Sequence, residues 1–364
     1  MKNEAFLLAI GQINDELVTD AEKRTFNFRK WGAVAVVLVL LLTSSILFLG
    51  REEESLPILT IAAEDSIGWG FEGYLAYDIS ELVNDNPWNA TQKLSTLPVY
   101  RNLYPVTNAG PLVTDAEAQE SALRAVADQL GIDLLRTERT DQAVIAYADG
   151  MELEADAQLT VTICFEPAVA LPKTCNFSYY ATFDEKMAVA QYLQKEYPNL
   201  VEGMEINVHG GDYNIYGERS YELSFYDNSG DLTERIVNYN FNSVTFYGDD
   251  EGKLWLIRVR MPNLEGKVGD YPIIGLEEAR QLLSDGCYAT SAPYAMPGME
   301  YVAKAELIYR TNGNEAHFMP YYRFYVELPE EREDQPMKTY GAYYVPAVEA
   351  AYLTGLPVYD GSFN

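Results

Sequence analysis

Residues 114–131 read TDAEAQESALRAVADQLG, and this stretch decides the class of fold. Ala122, Val126 and Leu130 recur every four residues, which lays them along one face of an α-helix. Thr114 and Asp115 are cap candidates, and Glu117, three positions after Thr114, has the spacing of a capping box. Gly131 is a natural stop, because glycine enters the left-handed conformation without a Cβ penalty. The periodicity then changes. Gln142–Tyr147 and Gln158–Phe165 read as strands. In the second, Leu159, Val161, Ile163 and Phe165 alternate with Thr160, Thr162 and Cys164, as in a half-buried strand. A helix followed by a run of such strands is the α+β order.

The same order recurs twice downstream. Asp184–Lys195 carries Met187, Ala190 and Leu193 on one helical face, and Ile206–Val208, Tyr221–Phe225, Glu234–Phe246 and Lys253–Val259 read as strands. Asp227–Gly230 and Asp249–Gly252 have the chemistry of hairpin turns. Leu276–Leu283 is a short helix, and Val302–Tyr309, Phe318–Val326 and Lys338–Val345 are strands, with an acidic surface loop at Glu330–Gln335. The expected organisation is a stalk at 51–110 that becomes the first edge of the folded domain, followed by three α+β modules at 111–170, 171–265 and 266–364. The repetition is one of element order, not of residue identity.

Upstream, Trp31–Gly50 reads WGAVAVVLVLLLTSSILFLG without a charge. As a helix its twenty residues span about 30 Å, the thickness of a bilayer core. Lys23, Arg24, Arg29 and Lys30 precede it, whereas Arg51 is followed by Glu52, Glu53 and Glu54. Basic flanks stay in the cytoplasm, so the expected topology is a single-pass membrane anchor with residues 1–30 inside and 51–364 outside. A cleaved signal peptide would have a shorter apolar stretch and a small-x-small site, and no such site follows Leu49. The net charge is -29. Residues 1–30 hold five basic and five acidic groups and residues 31–50 none, so the whole excess follows residue 50. That surface repels phosphate, which argues against nucleic acid as a partner.

The tail has its own pattern. Phe6, Ile10, Ile13 and Leu17 form a helical apolar stripe, widened by Leu7 and Val18. Its opposite face is acidic, which disfavours a lipid surface. The alternatives are docking of a cytosolic or membrane regulatory protein, or of a second copy, and a partly helical tail that binds nothing.

Two resemblances follow from these residues. Ala9–Glu22, AIGQINDELVTDAE, with basic residues and an apolar run after it, resembles the N-termini of anchored regulatory proteins of Gram-positive gut bacteria, some of them similar to anti-sigma factors. The tail has neither His nor Cys, so a zinc-type anti-sigma domain is absent. Gly269–Ala279, GDYPIIGLEEA, is similar to the opening of PepSY-like domains and to the outer domains of YycI-like and YycH-like regulators. The strands Tyr321–Val326 and Tyr340–Val345 fit the later part of that unit. The likeness covers about 265–350 and, more weakly, 112–165. It implies an extracytoplasmic sensor or inhibitor module rather than an enzyme. The expected role is regulation or binding in a bacterial envelope signalling system, with a protein, peptide or glycan as candidate extracellular ligand. It supplies no catalytic residue.

Site chemistry is sparse. His209, in the run Asn207–Asp212, stands beside two glycines and near Asp212. A histidine in such a setting can serve as base or ligand, or simply as a turn residue. His317 is the other histidine. Cys164 and Cys175 are close enough in sequence for a disulfide in an oxidising compartment, or are buried thiols. The two acid-and-glycine turns lack the ligand spacing of a calcium loop. No serine-elbow, phosphate-loop or zinc-hydrolase motif is present, and no cofactor is implied. The expected class is non-enzymatic, with a surface hydrolase of glycans or peptides, or a structural subunit of an envelope complex, as the alternatives. The tyrosines from Tyr321 to Tyr359 read as a tyrosine-rich sheet ahead of a contact surface.

Overall fold

The computed structural model describes residues 56–61, 71–107, 109–329, 336–359 and 361. The Trp31–Gly50 run, the tail with Phe6, Ile10, Ile13 and Leu17, and the Glu330–Gln335 loop lie outside the described residues. Among the described residues, no helix is long and apolar enough to cross a membrane.

The fold is mixed α+β. Strands Leu59–Thr60 (β1), Gly73–Ala76 (β2), Thr96–Arg101 (β3), Val106–Thr107 (β4) and Gly110–Pro111 (β5) precede helix Ala116–Leu130 (α1). Then come Arg136–Arg139 (β6), Val144–Ala148 (β7), Met151–Ala155 (β8) and Val161–Val169 (β9), and the helices Phe183–Glu196 (α2) and Pro198–Val201 (α3). Glu205–Tyr213 (β10) and Arg219–Tyr226 (β11) lead into helix Leu232–Phe241 (α4), followed by Ser243–Gly248 (β12), Leu254–Arg260 (β13) and Lys267–Pro272 (β14). Helix Leu276–Ser284 (α5) is followed by Ala289–Thr290 (β15), Val302–Tyr309 (β16), His317–Phe318 (β17), Pro320–Glu327 (β18), Lys338–Pro346 (β19) and Leu353–Thr354 (β20).

Thirteen of these strands form one antiparallel sheet. Its order is β16-β18-β19-β2-β10-β11-β12-β13-β9-β8-β7-β6, with β15 on β19. A second sheet runs β14-β3-β17, and β1 pairs in parallel with β20. Strands β2 and β3, from the stretch expected as stalk and domain entry, lie within the folded unit: Ala76 of β2 and Leu97 and Val99 of β3 are fully buried.

Two large cores serve this sheet. One joins Leu123 and Val126 of α1 and Val189 and Leu193 of α2 to Ile163, Leu223, Phe246 and Ile257. The other joins Ile236 and Phe241 of α4 and Leu283 of α5 to Leu307, Phe324 and Tyr343. The first two expected helices thus share a core, and α4 packs with the elements after residue 266. Each fully buried aliphatic or aromatic side chain in these layers contributes about 1.5–3 kcal/mol.

The structure corrects two local readings. Glu234–Phe246 is not one strand but α4 followed by β12. Asp231 caps α4 by accepting from Glu234 N at 3.0 Å, and Glu234 accepts from Asp231 N at 2.9 Å. The Asp227–Gly230 turn consequently leads into a helix, whereas Asp249–Gly252 does close the β12–β13 hairpin. Of the two cap candidates at α1, Asp115 is the one that caps: its carboxylate accepts from the backbone of Glu117 and Ala118.

Cys164 and Cys175 are free thiols. Val161, Ile163 and Phe165 face the α1/α2 core, and Cys175 packs against that same core. Cys164 alternates to the opposite face of β9, so the sheet stands between the two sulfurs.

Candidate functional site

The sequence-derived candidate, His209, lies on β10 directly opposite Glu222 of β11. Its Nε2 is 2.9 Å from Glu222 Oε2. That hydrogen bond is the main reason the Glu222 carboxyl is held below the usual carboxylate range. His209 Nδ1 is buried without a partner. Its ring therefore sits on a carboxylate, as an oriented base does, but no hydroxyl or thiol among the described residues bonds to it. Asp212 is close in sequence but is no partner of the ring; burial, reinforced by Glu222, pushes its carboxyl up. His317 belongs to β17 in the other sheet, and burial, with Arg101 nearby, holds its imidazole below the usual range.

Gly210 and Gly211 shape this strand. Both have positive φ, 112° and 98°, and the β10–β11 register shifts between Gly210 and Tyr213. A Cβ at Gly211 would collide with the Glu81 carbonyl oxygen. Only glycine lets β10 pass this close to the segment after β2.

That passage opens a cavity of about 130 Å3 where β2 is only sparsely paired with β10, lined by His209, Gly210, Tyr74, Tyr239, Arg323 and Tyr325 among others. Strand β2 joins β19 through four residue pairs but β10 through the single pair Tyr213–Leu75. Beside the cavity lies a charge network that was not identified from the sequence. Arg323 of β18 donates to Glu306 of β16 through Nε at 3.2 Å and Nη2 at 2.6 Å. Glu306 also accepts from Lys304 at 2.8 Å, from the Asn84 amide at 2.7 Å and from the Tyr325 hydroxyl at 3.2 Å. Glu72 accepts from the hydroxyls of Tyr74 at 2.7 Å and Tyr344 at 2.6 Å. Burial raises the Tyr74 and Tyr344 hydroxyls far above the ordinary tyrosine range, so both remain protonated donors.

The network is charge-balanced and its hydrogen bonds are made internally, which suits a rigid joint. The signal in the sequence was a Glu and an Arg inside two apolar strands, AELIY and YYRFY. Among the described residues, no group of three or more His, Cys, Asp or Glu side chains could hold a metal ion. The clustered tyrosines serve the core: Tyr321, Tyr322, Tyr325, Tyr340 and Tyr343 are all buried.

No protein-family model matches the chain, and no curated protein matches it. The crystal structure of an uncharacterized protein from Eubacterium rectale ATCC 33656 aligns at a TM-score of 0.32 and 9% identity, covering 73% of this chain and 86% of that one. A similarity that low carries no inference about fold or function.

Proposed function

We propose that the chain is a membrane-anchored extracytoplasmic module that binds a ligand outside the cell and regulates a partner within a bacterial envelope signalling system. One observation carries the reading: the partition of charge. Twenty uncharged residues separate a neutral tail, five basic against five acidic groups, from the region that holds the entire net charge of -29. Such a run, basic on one flank and acidic on the other, is the pattern of an anchor with its N-terminus inside. The likeness of Gly269–Ala279 to PepSY-like and YycI-like openings supports a regulatory role, as does the apolar stripe Phe6, Ile10, Ile13 and Leu17 in the tail.

Protease added to intact cells should remove epitopes placed after residue 60 and spare an epitope on the tail; protection of 60–364 would overturn the topology. A second reading, a surface hydrolase, draws on the His209–Glu222 pair at 2.9 Å. Turnover of a glycan or peptide substrate by the purified chain, lost in His209→Ala with folding intact, would favour it.

A further inference from the structure

Two concavities stand out, and their polar groups differ in one respect. At the sparsely paired β2–β10 junction, Arg323, Glu306, Tyr325 and the Asn84 amide are already bonded to one another. The second is a groove of about 360 Å3 between α4 and the β14-β3-β17 sheet. Its apolar part is Pro98, Tyr100 and Val237. The Tyr100 ring is braced edge-on against Phe241, centroids 5.9 Å apart. Around it stand Asp227, Ser229, Thr233 and Asn238 from the α4 side, and Lys267 and Asp270 from β14.

Several of these polar groups keep an open donor or acceptor. The hydroxyls of Tyr100, Ser229 and Thr233 and the amide nitrogen of Asn238 make no hydrogen bond among the described residues. One oxygen of Asp227 accepts from Ser229 N at 2.8 Å, leaving the other open. Lys267 and Asp270 pair with each other at 2.8 Å. The groove therefore offers hydroxyls, an amide donor and carboxylate acceptors around a tyrosine ring.

We propose that this groove is a saccharide-binding site that takes neutral hexose units. Sugar hydroxyls both donate and accept, which is what this mixed set requires, and the C–H face of a hexose packs on an aromatic ring. An anionic sugar is disfavoured, because Asp227, Glu234 and Asp270 stand against Lys267 alone. A polyamine would satisfy the carboxylates but leave the hydroxyls and the Asn238 amide without acceptors, and would meet Lys267. The proposal names a ligand class for the binding module above but does not depend on its membrane topology, which the protease experiment tests separately.

The purified full chain should be titrated with cellotriose, maltotriose and triacetylchitotriose, followed by saturation-transfer NMR. Trigalacturonate and spermidine serve as anionic and cationic comparators. At least one neutral trisaccharide is expected to bind, and more tightly than either comparator. Asp227→Ala should weaken it at least about tenfold, the scale of one hydrogen bond to a charged group, and Asn238→Ala and Tyr100→Leu each by about threefold to tenfold, the scale of a neutral hydrogen bond or an aromatic contact. Tyr239→Phe, in the other cavity, should leave binding unchanged, and thermal melts establish that each variant is folded. The proposal is overturned if no neutral trisaccharide binds, if spermidine or trigalacturonate binds in preference, or if Asp227→Ala and Asn238→Ala both bind as tightly as the original chain.

Discussion

Glu306 and Arg323 face each other across β16 and β18, and Glu306 is 2% exposed. Burial alone would raise its carboxyl, but Arg323, Lys304 and Asn84 outweigh that and bring it down to about 2. Its ordinary value is about 4.5. A carboxyl depressed by folding stabilises fully above its unfolded pKa and loses that contribution as pH falls toward the folded one. The Glu306 contribution should thus fade between about pH 4.5 and pH 2. Glu306→Gln should cost about 3 kcal/mol at pH 7, because Arg323 and Lys304 lose the carboxylate they share and only Glu72, 3.7 Å from Arg323, remains beside them. Urea unfolding of both proteins from pH 7 to pH 2.5 checks this. The difference between them must shrink as pH falls; a constant difference would refute the assignment.

At the scale of elements, the helix caps are the sharpest test. Thr182 accepts from Glu185 N, and Glu185 in turn accepts from Thr182 N at 2.8 Å, a complete capping box on α2. Thr182→Ala should cost about 1 kcal/mol, read as a lower urea midpoint. Thr114→Ala should stay within about 0.5 kcal/mol of the original, because Asp115 holds that helix start. Most elements were legible because their apolar spacing is unambiguous: the strand Val302–Tyr309 and the helices around Leu123, Val189 and Leu283 stand where the pattern places them. Helix α4 was not, because Ile236, Val237, Tyr239 and Phe241 are strand-favouring residue types. Its spacing from Leu232 to Ile236, and its Asp231–Glu234 capping box, were the better guide. The sites were less legible than the elements. His209 could be singled out, but its pairing with Glu222, like that of Glu306 with Arg323, exists only once the strand register is set. The groove at Tyr100 joins β3 to α4 and β14, which lie more than a hundred residues further along the chain, and nothing local announces it.

Across the whole folded unit, the main sheet is continuous but unevenly tied. Its two core layers meet at β2, and the link to β10 is one strand pair together with the Val83–Gly210 bridge. Arg219 reinforces it, donating to Gly211 O at 3.0 Å and Glu81 O at 3.2 Å. Arg219→Ala should therefore speed hydrogen exchange at the amides of Val83 and Gly210, while Ile163 and Phe324, deep in the two layers, keep their protection. Equal loss at all four positions would mean that the junction is no weaker than the rest. The far margin of the unit has a different property. Leu59–Thr60 and Leu353–Thr354 lie side by side and run the same way. A pull that drew the chain out through its N-terminal side while the C-terminal side was held would slide these strands along each other. Their hydrogen bonds would then bear tension together and not open one after another like a zip. A domain tugged by a bound surface or a moving cell would meet that load first at this clasp, which makes it a mechanical fuse: the rest of the sheet keeps its shape until the clasp gives way.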